Sequence, residues 1–223
     1  MPEADILHEM ELPESTAAIL SGYQRDAVAL IARYEAVSPA DKYRAVADLI
    51  PRWQCNVVDI GAGSGVDAAW LAAKGHRVLA IEPVEPLRRA GERLHPSDRI
   101  EWLNDILPSL ARARAKARQF DLVLLSAVWQ HLRDDLHEEA LSNISRMLKP
   151  SARVIISVRN GPGDPSRPTF AVSVERTIAI AALLGLHTIR HARAESLQQR
   201  NRDAGVSWDW LAMEFTGNPR GDR

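Results

Sequence analysis

Cysteine is nearly absent from the chain. Cys55 is alone among 223 residues, which excludes an internal disulfide framework and any metal site built from several cysteines. The expectation is a reducing, cytoplasmic setting, with Cys55 serving as packing just ahead of a buried strand. Neither sign of charge is in surplus: 28 Lys and Arg against 29 Asp and Glu leave a formal net charge of −1. The global field that draws in DNA or an anionic membrane surface is therefore missing. Long apolar runs are missing too, since no stretch reaches the ~20 residues a membrane-spanning helix needs. The segment 1–12 carries Glu3, Asp5, Glu9 and Glu11 with no basic region, and predicts neither a secretion signal nor an anchor. No repeat of solenoid period is present.

Against these absences stands enough chain for a single domain over 1–223. Residues 1–50 read as a helical cap or lid, with Ala27, Leu30, Ile31 and Tyr34 at helical spacing and Ser38-Pro39 opening a further turn. From residue 55 to 215 the pattern changes to short apolar runs alternating with helical stretches, which predicts a doubly wound α/β core around a mostly parallel sheet. Strands are expected at 56–60, 77–82, 100–104, 121–126 and 153–158, and helices at 67–74, 86–94, 109–118 and 136–148. The Gly- and Pro-rich stretch 159–170 predicts a loop. Ser173 is expected to cap a helix that stops at Gly185, followed by strands at 187–194 and 206–215; the polar tail 216–223 is expected to fray. The alternating Ala-Arg/Lys run 111–118 scatters its charges around a helix axis and reads as a solvated surface, not a nucleic-acid stripe.

The chemistry concentrates where the first strand ends. Val58-Asp59-Ile60-Gly61-Ala62-Gly63-Ser64-Gly65 follows an apolar strand and leads into a helix, so its glycines allow a ligand close to the backbone. A dinucleotide pyrophosphate suits the place less well: the last glycine of the usual G-x-G-x-x-G is Val66, and the charge of Asp59 repels phosphate. A carboxylate there suits a cationic ligand end. Glu82 closes the second strand about twenty residues after the loop, the spacing at which an acid accepts both ribose hydroxyls, a feature common to NAD and S-adenosylmethionine sites. Asn104 and Asp105 end the third strand beside the expected adenine position, where an acid accepts from an exocyclic amino group. Asp67 opens the next helix, where the helix dipole favours an acid.

Taken in order, Val58–Gly65, Ile81-Glu82-Pro83, Asn104-Asp105, Phe120-Asp121-Leu122-Val123 and Leu148-Lys149-Pro150 resemble the successive motifs of class I S-adenosylmethionine-dependent methyltransferases. The resemblance covers roughly 55–158. It implies a seven-stranded sheet with one reversed strand near its edge, supplied by 206–215, and S-adenosyl-L-methionine lying across the ends of the first strands. It places the methionine part at Asp59, Gly61, Ala62, Gly63 and Gly65, the ribose at Glu82 and Pro83, and the adenine at Asn104 and Asp105, with Ser126 beside the cofactor.

Methyl transfer from a sulfonium is an in-line displacement, which explains the lack of a nucleophile pattern. Ser126-Ala127-Val128-Trp129-Gln130-His131 follows the fourth strand, in place of the Asp/Asn-Pro-Pro-aromatic motif of amino-group methylation on DNA bases or of a Pro-Cys nucleophile. The strand end offers no ligand acid, and His187 and His191 have no third partner, so no metal is expected. His131 is the candidate general base. Tyr23, Trp129, Arg159 and Asn160 are the candidate acceptor contacts, and the acceptor expected is a small molecule methylated on O or N. An inactive cofactor-binding partner or sensor, or an enzyme acting on RNA or protein, is the alternative.

Overall fold

The computed structural model describes residues 13–217, and within them the alternating pattern builds a single seven-stranded sheet. Its strands are β1 (Asn56–Ile60), β2 (Arg77–Ile81), β3 (Ile100–Leu103), β4 (Phe120–Leu125), β5 (Leu148–Asn160), β6 (Leu186–Glu195) and β7 (Ser207–Phe215). They lie in the order β3-β2-β1-β4-β5-β7-β6. The first five pair in parallel, and β7 is the reversed strand, antiparallel to both β5 and β6. The expectations for 1–12 and for the tail beyond 217 lie outside the described residues.

Period-two alternation within each central strand sends buried side chains to both faces. Val58, Ile60, Leu79, Ile81, Val123 and Leu125 pack on one side with Leu141 and Ile144 of helix α6 (His137–Ser145) and Ala181 of α7 (Val174–Leu183). Val57, Val78, Ala80, Leu122 and Leu124 pack on the other with Leu71 of α3 (Val66–Ala73), Tyr43 and Val46. Each fully buried Leu contributes about 1.5–3 kcal/mol, so the strands are held from both sides.

The cap is a long helix, α1 (Glu14–Glu35), followed by α2 (Pro39–Lys42), whose first turn Ser38 caps by accepting from the Asp41 amide. Ala27 and Leu30 of α1 bury against Val84 and against Leu87 of α4 (Glu85–Leu94). This contact lays α1 over the carboxyl ends of the central strands. β1 leads to β2 on one side while β4 pairs on its other side, so a crevice opens between them at a topological switch point.

Several elements differ from the sequence expectation, helix α6 among them, which ends at Ser145 short of 148. Helix α5 (Ala111–Ala115) is shorter than 109–118 because Ala117 turns to a left-handed φ of 48° and ends it. Strand β5 runs well past 153–158 at both ends. Residues Arg159 and Asn160, expected in a loop, extend the ladder because β7 offers them partners at Trp208 and Ser207. A short helix, α8 (Gln199–Asp203), joins β6 to β7 in a segment without a periodic pattern.

Candidate functional site

A cavity of about 550 Å³ lies at the carboxyl ends of β1, β2 and β4, with α1 above it. Gly61, Ala62, Gly63, Glu82, Pro83, Asp105, Ser126 and His131 line it, and Tyr23 and Tyr34 reach down from α1. Gly61 and Gly63 have φ of 73° and 59°, values that L side chains rarely adopt. A Cβ on Gly63 would stand 3.3 Å from the Tyr34 ring, and one on Gly61 would run into Val128. Gly65 has another task. Its missing side chain makes room for the Trp102 ring, 2.6 Å from where a Cβ would be, so it serves helix packing and does not line the cavity.

Glu82 is almost fully buried, and both carboxylate oxygens accept backbone amides, Oε2 from Gly63 and Oε1 from Val84, each at 2.8 Å. Burial pushes its pKa up to about 7, against the two amides, which favour the charged form. Asp59 lies behind the loop, 1% exposed, with Oδ2 lacking a hydrogen-bond partner. Burial first, then the charge of Asp67, raises it to about 8, with Lys42 pulling the other way.

Asp67 proves to be more than a first-turn acid on a helix. It is buried, lines the cavity, pairs with Lys42 and accepts from the Tyr43 hydroxyl at 2.9 Å. Lys42 and Tyr43 escaped the sequence reading because they sit on a four-residue helix and its end, with no motif around them.

Asp105 lines the cavity, yet both its oxygens hold its own chain: Oδ1 accepts from Ile106 at 2.9 Å and Oδ2 from Ala113 at 2.8 Å, capping α5. Asn104 does not line the cavity, and its carbonyl accepts from Arg112.

On the acceptor side, His131 Nδ1 lies 2.9 Å from the Pro168 carbonyl, which can only accept, so Nδ1 carries the ring proton. Burial lowers the His131 pKa and keeps the ring neutral, leaving Nε2 as an acceptor. The Tyr23 hydroxyl donates to it at 2.7 Å. Tyr34 stands beside Tyr23, whose own pKa burial raises to about 12. Ala127, at a left-handed φ of 60°, bends the chain after β4, and its amide donates to Ser157 Oγ at 2.8 Å.

Three expected acceptor contacts lie elsewhere. Trp129 is fully buried, donates from Nε1 to Thr177 Oγ1 at 3.2 Å and stacks on His137 at 4.4 Å, so it is core and not a pocket wall. Asn160 is held by Asp209 at 2.6 Å, and Arg159 donates to the Pro162 carbonyl while covering the Trp208 ring. Neither lines the cavity, because their strand pairing with β7 turns them aside. The walls come instead from Ile19, Leu20, Leu132, Trp208, Trp210 and the segment 194–198, none of which carries a sequence motif.

A family model described as a methyltransferase domain matches residues 20–213. Among solved structures, the 1,6-didemethyltoxoflavin-N1-methyltransferase of Burkholderia thailandensis is similar with a TM-score of 0.70 and 20% identity, over 93% of each chain. The N-methyltransferase NodS of Bradyrhizobium japonicum WM9 follows at 0.67 and 16%, covering 89% of this chain and 98% of that one. The magnesium protoporphyrin IX methyltransferase of Synechocystis PCC 6803 gives 0.59 and 15%, over 93% and 86%. A search of curated proteins finds no match. At these identities the structural likeness is one of fold.

Proposed function

The chain belongs to the methyltransferase-domain family of class I S-adenosylmethionine-dependent enzymes, and we propose that it methylates an oxygen or nitrogen of a small-molecule acceptor, with the Tyr23–His131 pair removing the acceptor's proton. The residues present fit the cofactor. Gly61 and Gly63, at positive φ, line the cavity with bare backbone, and Glu82 is fixed at the cavity edge with a spare lone pair on each oxygen. Glu82 would hold the ribose, Gly61–Gly63 the methionine part, and the apolar surface of Leu87, Ile106 and Leu107 the adenine, with Asp105 at its edge. The bound cofactor supplies a methyl group on a sulfonium sulfur, a carbon open to in-line displacement.

What the chain must add is alignment and a path for the proton. His131 Nε2 is occupied by the Tyr23 hydroxyl, so it meets an acceptor through Tyr23: the acceptor's proton passes to the Tyr23 oxygen as the Tyr23 proton passes to Nε2. Tyr34 and Arg167, which stacks over the Tyr23 ring at 5.4 Å, hold the phenol in place. Ile19, Leu20, Leu132 and Trp208 supply apolar contact for the rest of the acceptor and exclude water. The observation that carries this reading is the Tyr23–His131 bond inside the cavity that the glycine loop also lines. Turnover with a panel of phenols, hydroxy compounds and amines tests it. Methyl transfer to none of them, with S-adenosylhomocysteine binding intact, would favour a sensor or a larger acceptor.

A further inference from the structure

We propose that Lys42 and Asp67 form a clamp for the α-amino-acid end of the cofactor, Lys42 taking its carboxylate and Asp67, backed by Asp59, its ammonium. The inference rests on the cofactor reading above and adds two residues that lie outside the glycine-loop strand and its motif.

The two side chains are brought to the cavity by independent elements. Asp67 comes from the first turn of α3, directly after the glycine loop, and Lys42 from the last residue of α2. Tyr43 fixes the second of these. It is fully buried, stacked on Trp70 at 5.6 Å and set edge-on to Trp210 at 5.2 Å, so the residue before it has little freedom. Lys42 and Asp67 both line the cavity and are ion-paired to each other.

The pairing is lopsided. Asp67 Oδ2 receives both Lys42 and the Tyr43 hydroxyl, while Oδ1 is buried without any hydrogen-bond partner. Asp59 Oδ2 is in the same condition, and the nearby charge of Asp67 helps to raise the Asp59 pKa. Buried carboxylate oxygens without donors are rare and costly, and a pair of them asks for a donor from outside the chain. An ammonium has three N–H groups to offer. Lys42 likewise has three donors, of which Asp67 takes one, leaving others for an anion. Asp67 at the cavity wall, with Asp59 behind it, and one lysine with free donors therefore complement a zwitterion: its cation faces Asp67 and its anion the lysine. The α-amino-acid end of S-adenosylmethionine or S-adenosylhomocysteine has that charge pattern.

Calorimetry with two ligands isolates the clamp, because 5′-methylthioadenosine keeps the adenosine and thioether but lacks the amino acid. Lys42→Met is expected to weaken S-adenosylhomocysteine about 10- to 100-fold, the scale of one hydrogen bond to a charged group, and to leave 5′-methylthioadenosine within about 3-fold. Lys42→Arg should restore most of the loss, since the cation is kept. If Lys42→Met does not fold, the Lys42→Met/Asp67→Asn double variant, which leaves no unpaired buried charge, takes its place with the same expected loss. Equal weakening of both ligands, or of neither, overturns the clamp. So does a wild-type protein that binds both ligands equally tightly. A wild-type protein that binds neither ligand sinks the cofactor reading itself, which keeps the two failures apart.

Discussion

The Tyr23 hydroxyl donates to His131 Nε2 across 2.7 Å, joining two residues 108 positions apart on α1 and on the turn after β4. The direction of that bond follows from the other ring nitrogen, which must be the donor because it faces the Pro168 carbonyl. His131 can thus serve as a base only while it is neutral, and Tyr23 stands between it and the cavity. His131→Ala should lower turnover about 10²–10⁴-fold, the usual range for a general base, with cofactor affinity near wild type. Tyr23→Phe should lower it comparably. Burial sets the His131 pKa below its ordinary value, so activity should fall only as the pH drops below the usual histidine range, and this acidic limb should vanish in His131→Ala. Steady-state rates against pH measure both effects. A variant that keeps its rate and its profile would make the pair structural.

Glu82 and Gly63 test the cofactor side. Glu82→Ala should weaken S-adenosylhomocysteine by about 1.5–3 kcal/mol, the scale of hydrogen bonds to a charged group, and it also frees the Gly63 and Val84 amides. Gly63→Val imposes a β-branched side chain at a φ of 59° with the Tyr34 ring 3.3 Å away, so it should abolish measurable binding. Titration calorimetry reads both. Unaltered affinity in Glu82→Ala would remove the ribose assignment.

The contrast between Glu82 and Trp129 marks how far the sequence could be read. The alternation of strands and helices and the glycine-loop cradle follow from periodicity and local motif, because those depend on local backbone demands, whereas the reversed strand is implied only by the family resemblance and the strand order is not legible. Which side of a strand end faces the cavity is decided by packing from remote elements. Trp129 is drawn into the core by Thr177 and His137, and Asn160 is drawn aside by Asp209. Asp105 lines the cavity as expected, and it also caps α5, a second task that no local motif announces. Lys42 carries no local signal at all; only the burial of Tyr43 delivers it to the site.

The roof of the cavity is clasped at defined points. Arg167, largely buried, pairs with Asp26 of α1 and with Asp164, and Ser166 Oγ donates to Asp26 at 3.0 Å. At its far end Glu35 accepts from Ser64 of the glycine loop at 2.6 Å. Any opening of α1 away from the cavity would break these contacts. Arg167→Ala should loosen α1 by about 1–2 kcal/mol, between exposed and buried ion pairs, because Asp26 and Asp164 keep water contact. Faster amide exchange in 14–35 and 161–170, reversed in part by S-adenosylhomocysteine, is the expected result. Exchange confined to 161–170 would mean that α1 is held by its apolar contacts alone.

Asp59 and Glu82 make the stability of the ligand-free protein pH-dependent in an unusual sense for carboxylates. Asp59 is raised from 3.8 to about 8, by burial first and then by Asp67, and Glu82 from 4.5 to about 7, by burial. A folded-state pKa above the unfolded value means that the folded chain binds protons more tightly, so these groups stabilise the fold at low pH. Their contribution is complete below the unfolded values and is lost as the pH rises through about 7 for Glu82 and about 8 for Asp59. The midpoint of thermal unfolding should therefore fall progressively between roughly pH 4 and pH 8, from the unfolded to the folded pKa values, with each kcal/mol lost worth on the order of 2–4 °C at this chain length. Asp59→Asn has no proton to lose, so its midpoint should decline less over the same range and exceed that of the wild type at the alkaline end. S-adenosylmethionine brings a cation to the acids and should narrow the gap between the two proteins. Thermal scans across this pH range in matched buffers measure it, and parallel curves for wild type and Asp59→Asn would show that Asp59 is already ionised in the folded chain.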